Sequence, residues 1–188
     1  KLMIAALAST LALSVPAASK ITAPQQTVIT AARYLDVASG KYIEYPAIFV
    51  GADGRITGIA DARTVRWGAD VKHIDMSGKT LLPGLIDMHV HLDGPADIGG
   101  WRALEYTDSF FSMTAVPNAR ALLDAGFTTV RNVGSGDRND IGLRQAIESG
   151  YVTGPRVIPA GYALEATGGH CDETGRPPSM ERPGKGEG

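Results

Sequence analysis

The sequence has one cysteine, little net charge and no hydrophobic run of the length that spans a membrane. Cys171 is the single cysteine among 188 residues, so no intrachain disulfide can form and stability has to come from a packed core. The formal net charge is −2, which provides no basic field for nucleic acid. The composition, 44% hydrophobic and 20% charged, is that of a globular protein rather than a disordered or fibrous one.

The longest apolar run lies near the beginning of the chain, from Leu2 to Val15. Its length of about 14 residues falls short of the roughly 20 that a membrane-spanning helix needs. Small residues of the kind that a signal peptidase accepts follow it. We expect residues 1–19 to be a signal peptide, cleaved after Ala17 or Ser19, and the protein to be periplasmic or secreted with no stable membrane insertion. A transmembrane anchor is the alternative.

Short segments with strand-like patterns follow this run. They comprise residues 27–30, 47–50, 56–60, 71–75 and 80–82. The second and third are joined by a loop that contains Asp53 and Gly54, which predicts a hairpin. Residues 77–79 predict a turn between the last two segments. We expect residues 20–83 to be the amino-terminal part of a small β-sandwich domain.

Strand-like and helix-like segments alternate from Gly84 onward. The predicted strands cover residues 85–92, 127–133 and 156–160, and the predicted helices cover residues 113–125 and 139–149. Ser112 or Thr114 is expected to cap the first helix, with Pro117 in its first turn. This order predicts an α/β fold with a parallel sheet. A (β/α)₈ barrel needs about 250 residues, so we expect residues 84–188 to be the first three βα units of a truncated barrel.

Two histidines, His89 and His91, lie toward the end of the first of these strands. Residues i and i+2 of a strand point to the same face, so both imidazoles can converge on one zinc ion. Asp87 is expected on the same face, either accepting the second N–H of an imidazole or buried for structural reasons. Histidines at this spacing are also common as exposed polar residues, so the spacing alone leaves both interpretations open.

Several separated segments resemble the amidohydrolase superfamily. Residues 80–91, TLLPGLIDMHVH, are similar to its opening signature, where a β-sandwich strand leads through Pro-Gly into the first barrel strand and its metal-binding H-x-H. Residues 121–132 resemble its first helix and second strand. Residues 154–156 and 167–170 resemble the third-strand region of its Xaa-Pro dipeptidase and imidazolonepropionase-like branch. The resemblance spans residues 26–172.

The resemblance implies a hydrolase of C–N bonds that uses one or two divalent ions, usually zinc, and acts on a small molecule or dipeptide. It implies that His89 and His91 hold the more buried ion. In the family, a carboxylated Lys, two further His and an Asp from later barrel strands complete the site. Those strands are absent here, so we expect an amino-terminal fragment that has no catalytic residue of its own and is inactive.

The resemblance also places the Gly-rich loop 167–172 beside the substrate pocket. It implies that His170 contacts the substrate or stabilises the oxyanion, whereas the alternative is a loop histidine that bonds to backbone or water. Cys171 in the same loop is interpreted as an incidental thiol.

Three functions remain open at this point. The first is a metallopeptidase-like amidohydrolase acting on dipeptides or N-acyl amino acids. The second is a cyclic-amide hydrolase or a deaminase with one metal ion. The third is a non-catalytic exported domain with exposed histidines.

Overall fold

The structure, a computed structural model, describes residues 26–164, Ala166 and Gly169. The predicted signal peptide (residues 1–19), His170 and Cys171 lie outside the described residues. The chain divides into two compact units, Lys1–Leu82 and Pro83–Gly188.

Five strands form a single sheet in the first unit. They are β1 (Thr27–Asp36), β2 (Lys41–Glu44), β3 (Pro46–Val50), β4 (Ile56–Asp61) and β5 (Lys72–Leu81). Strand β1 pairs antiparallel with β2 and β3 and parallel with β5, and β3 pairs antiparallel with β4. Val28 of β1 and Ala47 of β3 are fully buried. The described strands make one layer, so the second layer of a sandwich stays a prediction.

The predicted hairpin is confirmed. Ile48 of β3 lies opposite Ile59 of β4, and the Gly51 N–H donates to the Arg55 carbonyl at 2.8 Å across the connecting loop. Gly54 has φ +77°, a backbone conformation that costs glycine little. The turn chemistry and the apolar patterns on either side were therefore sufficient to predict this element.

The predicted turn at residues 77–79 is wrong, because β5 continues through it. Met76 pairs with Ala31 and Thr80 with Arg33, so three residues of β5 stand opposite one residue of β1. Gly78 adopts φ +76° within this bulge. Parallel pairing with β1 on both sides holds the chain in one strand, although the local residues are typical of a turn.

The second unit alternates strands with helices. Its main elements are β6 (Leu85–Val90), α1 (Asp108–Asp124), β7 (Phe127–Asn132), α2 (Asn139–Glu148) and β8 (Arg156–Ile158). The strands form a parallel sheet in the order β6-β7-β8. The prediction of an α/β unit with a parallel sheet is confirmed, whereas closure of these strands into a barrel stays a prediction.

An apolar core joins the helices to this sheet. Its buried members are Leu92, Ala115, Ala119, Val130, Leu143 and Val157. Ala115 and Ala119 lie one turn apart on α1 and are fully buried, so their small side chains let the helix approach the sheet closely. Leu143 and Ile147 of α2 pack against the same core, as is usual for the apolar face of an amphipathic helix.

Helix α1 begins earlier than predicted. Thr107, rather than Ser112 or Thr114, is its N-cap, and the Thr107 Oγ1 accepts a hydrogen bond from the Phe110 N–H at 3.3 Å. Pro117 consequently lies inside the helix, where its missing N–H removes one main-chain hydrogen bond. In the described part of the chain no helix, α1 included, is long and apolar enough to cross a bilayer.

Candidate metal centre

The structure brings the two predicted ligands together. His89 lies in β6 and His91 directly follows it. Their ring centroids are 5.6 Å apart and the rings meet edge to face at 74°. Both side chains are exposed, so the imidazoles form an open pair rather than part of the apolar core.

A β-bulge contributes to this arrangement. Asp87 pairs with Val130 and Val90 pairs with Asn132, so three steps along β6 match two along β7. The extra residue therefore lies at Met88 or His89. Bulges re-aim side chains and are common beside active sites, so simple strand alternation is only part of what sets the direction of His89.

Asp87 bonds to the main chain of this bulge. Its Oδ1 accepts from the His89 N–H at 3.0 Å, and the side chain is half-buried. The carboxylate therefore stabilises the backbone segment that carries His89. A direct hydrogen bond from Asp87 to an imidazole stays a prediction.

The ring of His91 has a specific hydrogen-bond partner. Its Nδ1 lies 3.1 Å from the Gly134 carbonyl oxygen, and only a protonated nitrogen can donate to a carbonyl. In the neutral ring, Nε2 then carries the free lone pair. Backbone carbonyls commonly orient metal-binding histidines in this way. The contact leaves Nε2 of His91 as the nitrogen available to a ligand or ion.

Two buried polar residues behind the pair were missed by the sequence analysis. Asn132 and Asp140 are 0% and 1% exposed, and the Asn132 Nδ2 donates to the Asp140 Oδ2 at 3.1 Å. Asn132 also donates to the Gly134 carbonyl at 3.0 Å. The available signal was an amide at the carboxyl end of a strand rich in β-branched residues, where α/β proteins concentrate functional groups.

A third carboxylate ties the loop after β7 to the segment after β6. The Asp93 Oδ2 accepts from the Ser135 Oγ at 2.9 Å, from the Gly136 N–H at 2.9 Å and from the Asn139 Nδ2 at 3.3 Å. Asp93 is therefore committed to holding this loop in place, close to the carbonyl that orients His91.

Comparison with known proteins identifies the family. The sequence pattern of the Amidohydrolase family matches residues 80–187, which is more than half of the chain. The chain belongs to the amidohydrolase family. Members of this family generally use divalent metal ions, commonly zinc.

Individual relatives agree with this assignment. The chain is 40% identical over 101 residues to a dihydroorotase of Pelotomaculum thermopropionicum, a match that covers 49% of this chain and 22% of that enzyme. It is 30% identical over 167 residues to adenine deaminase 2 of Rhizobium etli, covering 83% of this chain and 24% of the deaminase. The chain thus spans about a quarter of these curated relatives.

A solved Xaa-Pro dipeptidase with methionine bound in its active site has a similar structure. The two superpose with a TM-score of 0.70 at 31% identity, and the match covers 85% of this chain and 39% of the dipeptidase.

The histidine pair of this amidohydrolase fits a divalent ion as a partial ligand set. Two adjacent imidazoles, one with its Nδ1 committed to a carbonyl, are the donors that zinc accepts. Among the described residues, no group of three or more His, Cys, Asp or Glu side chains is arranged to hold an ion. The fit is therefore that of two imidazole donors, fewer than the four ligands of a typical zinc site.

Proposed function

We propose that His89 and His91 are metal ligands in an active site that hydrolyses a C–N bond of a small molecule. The observation that carries this proposal is the His91 Nδ1 bond to the Gly134 carbonyl, which leaves Nε2 free beside the ring of His89. Membership of the amidohydrolase family supports the reaction class.

In this reaction the role of the described residues is to bind the ion and to orient the two imidazoles. His89 and His91 would hold a divalent ion, which would supply Lewis acidity toward the scissile carbonyl and toward a water molecule. The His91 Nδ1 donates to the Gly134 carbonyl, which leaves Nε2 available for the ion. His89 receives its direction from a bulge that the Asp87 carboxylate stabilises. Because these contacts exist before substrate arrives, little reorganisation is needed when it binds.

We further propose that β6, β7 and β8 open a (β/α)₈ barrel, preceded by a small β-sandwich domain. Similarity to the dipeptidase structure over 85% of this chain supports this fold. Active sites of such barrels lie at the carboxyl ends of the strands, which is where His91 and Asn132 lie. His170 is proposed to contact the substrate from the loop that follows β8.

The proposed substrate is a dipeptide or an N-acyl amino acid. Similarity to the Xaa-Pro dipeptidase supports this choice. A cyclic-amide hydrolase or a deaminase is the second candidate, and it is supported by the similarity to dihydroorotase and adenine deaminase.

The test uses protein expressed from its complete gene, with His89→Ala and His91→Ala as the variants. Bound metal is counted by mass spectrometry, and hydrolysis is assayed with Xaa-Pro dipeptides, N-acyl amino acids, dihydroorotate and adenine. We expect each variant to lose bound metal and to lose more than the roughly 10- to 100-fold in activity that an outer-shell change costs.

His73→Ala is the matched control, because His73 belongs to β5 and its Nε2 lies 2.9 Å from the Thr30 Oγ1. This control should keep wild-type metal content and activity. The proposal is wrong if His89→Ala and His91→Ala also retain both. Turnover of dihydroorotate or adenine without turnover of any dipeptide or N-acyl amino acid would select the second candidate.

A further inference from the structure

The Asn132 side chain holds two main-chain groups that flank His91. Its Oδ1 accepts from the Leu92 N–H at 2.9 Å, and its Nδ2 donates to the Gly134 carbonyl at 3.0 Å. The first contact anchors the backbone immediately after His91. The second anchors the carbonyl that accepts the His91 ring proton. The amide orientation is unambiguous, because one end faces an N–H donor and the other faces acceptors.

Asp140 in turn holds the amide of Asn132. Its Oδ2 accepts from the Asn132 Nδ2 at 3.1 Å, from the Ala160 N–H at 2.9 Å and from the Gly161 N–H at 3.0 Å. A buried carboxylate is costly unless hydrogen bonds satisfy it, and here three donors converge on one oxygen. Asp140 thereby connects the segment after β8 to the amide at the end of β7.

These contacts form a continuous chain of hydrogen bonds that leads to the imidazole. Asp140 contacts Asn132, Asn132 contacts the Gly134 carbonyl, and that carbonyl accepts from His91. Asn132 lies in β7, Gly134 follows it and Asp140 lies in α2, whereas the imidazole directly follows β6. The position of the ring therefore depends on buried groups that lie at least 40 residues away in sequence.

We propose that Asn132 and Asp140 are positioning residues for His91. Together they hold the Gly134 carbonyl where it keeps the proton on Nδ1 and presents Nε2 to an ion. This inference rests on the proposed function, in which His91 is a metal ligand. Outer partners of this kind commonly govern metal affinity.

The first measurement needs only metal-free wild-type protein expressed from its complete gene. The ¹⁵N chemical shifts of the His91 ring, assigned by comparison with His91→Gln, report which nitrogen is protonated at about pH 9, where free imidazole is neutral. We expect the Nδ1–H tautomer. A ring protonated on Nε2 would overturn the inference, whatever the metal content of the protein.

The second measurement compares variants. Asn132→Asp removes both N–H donors with almost no change in size and sets a carboxylate against the Gly134 carbonyl and Asp140. We expect a mixture of ring tautomers and a loss of metal affinity of about 10- to 100-fold, measured by chelator competition. Asp140→Asn keeps the shape of the side chain, and we expect a smaller loss in the same direction. It serves as the test if Asn132→Asp does not fold.

Thr107→Ala is the control. The Thr107 Oγ1 accepts from the Phe110 N–H at the start of α1, so this variant loses a hydrogen bond of the second unit that has no part in the chain of bonds leading to His91. Its thermal midpoint should fall while the tautomer and the metal affinity stay at wild-type values.

The outcomes separate the two proposals. If Asn132→Asp and Asp140→Asn lower only the thermal midpoint, as Thr107→Ala should, the two residues are merely structural and the inference is wrong. If the wild-type protein binds no metal, the proposed function fails, and so does the metal-positioning role that rests on it. The tautomer measurement then tests only the hydrogen bond from the His91 ring to the Gly134 carbonyl.

Discussion

At the scale of single residues, Gly84 shows how closely the start of β6 approaches β7. A Cβ atom at Gly84 would overlap the Cβ, Oγ1 and Cγ2 atoms of Thr128. Thr128 is the extra residue in β7, because Leu85 pairs with Phe127 and Ile86 pairs with Thr129. The Leu85 N–H donates to the Gly126 carbonyl at 2.9 Å at the same point. Glycine is therefore required here for space.

Gly84→Ala is expected to destabilise the protein. The added methyl group must displace the β-carbon of Thr128, which cannot rotate away, so the strand pair itself has to shift. Overpacking of this kind typically costs about 1–3 kcal/mol. The measurement is thermal unfolding of protein expressed from its complete gene, followed by circular dichroism.

Gly58→Ala is the control for this substitution, since a Cβ at Gly58 in β4 meets nothing within 4 Å. It should leave the thermal midpoint nearly unchanged. The double variant Gly84→Ala with Thr128→Gly should recover part of the loss. Equal stability of Gly84→Ala and wild type would show that the two strands do not approach this closely.

At the scale of secondary structure, the start of α1 illustrates how one set of local contacts overrides another local signal. The sequence offers Ser112 and Thr114 as caps and Pro117 as a first-turn residue, a combination typical of a helix start. The helix instead begins after Thr107, where Tyr106 stacks on Phe110 with ring centroids 4.4 Å apart. This aromatic contact stabilises the additional turns.

Thr107→Ala tests this assignment of the N-cap. Its Oγ1 satisfies the Phe110 N–H, and loss of such a cap typically costs about 0.5–2 kcal/mol. We expect a lower thermal midpoint for Thr107→Ala, while Thr107→Ser, which retains the hydroxyl, stays near wild type.

The hydrogen bonds of the two alternative residues exclude them as caps. The Ser112 Oγ donates to the Asn139 Oδ1 at 2.6 Å and the Thr114 Oγ1 donates to the Phe111 carbonyl at 2.8 Å, so neither hydroxyl caps the helix. An unchanged midpoint for Thr107→Ala would contradict the structure at this point.

At the scale of the whole molecule, the apolar run before the first strand leads to a prediction about export. We expect protein expressed from its complete gene in a Gram-negative host to accumulate in the periplasm and to begin at Ala18 or Lys20. The small residues before these positions suit a signal peptidase. Mass spectrometry of the purified protein identifies its amino terminus, and cell fractionation gives its location.

Charges within the run provide the control for export. Leu7→Arg with Leu11→Arg should block export, because the apolar segment is then interrupted twice, whereas Ser9→Ala should not affect it. An uncleaved protein that fractionates with the membrane would instead support the anchor alternative, and a cytoplasmic wild-type protein would contradict export altogether.

Much of the second unit could be predicted because its signals are local. The alternation of strand-like and helix-like segments predicted the parallel sheet of β6, β7 and β8. Alternation along the chain does not predict which of the apolar side chains in and after β6 are buried. Ile86 and Met88 are 63% and 52% exposed, whereas Leu92, which packs in the core with Ala115 and Ala119, is 1% exposed.

The sequence by itself determined the presence of the histidine pair, since the spacing of His89 and His91 and the Pro-Gly that precedes their strand are properties of adjacent residues. Only the tertiary structure decided which nitrogen of His91 is free. That choice depends on the Gly134 carbonyl, which accepts from the ring and from the Asn132 amide. The carbonyl reaches the ring only when β7 pairs with β6 in a bulged register. A main-chain carbonyl has no residue type, and its direction is set by pairing between distant strands. No pattern of residue types along the chain could have revealed it.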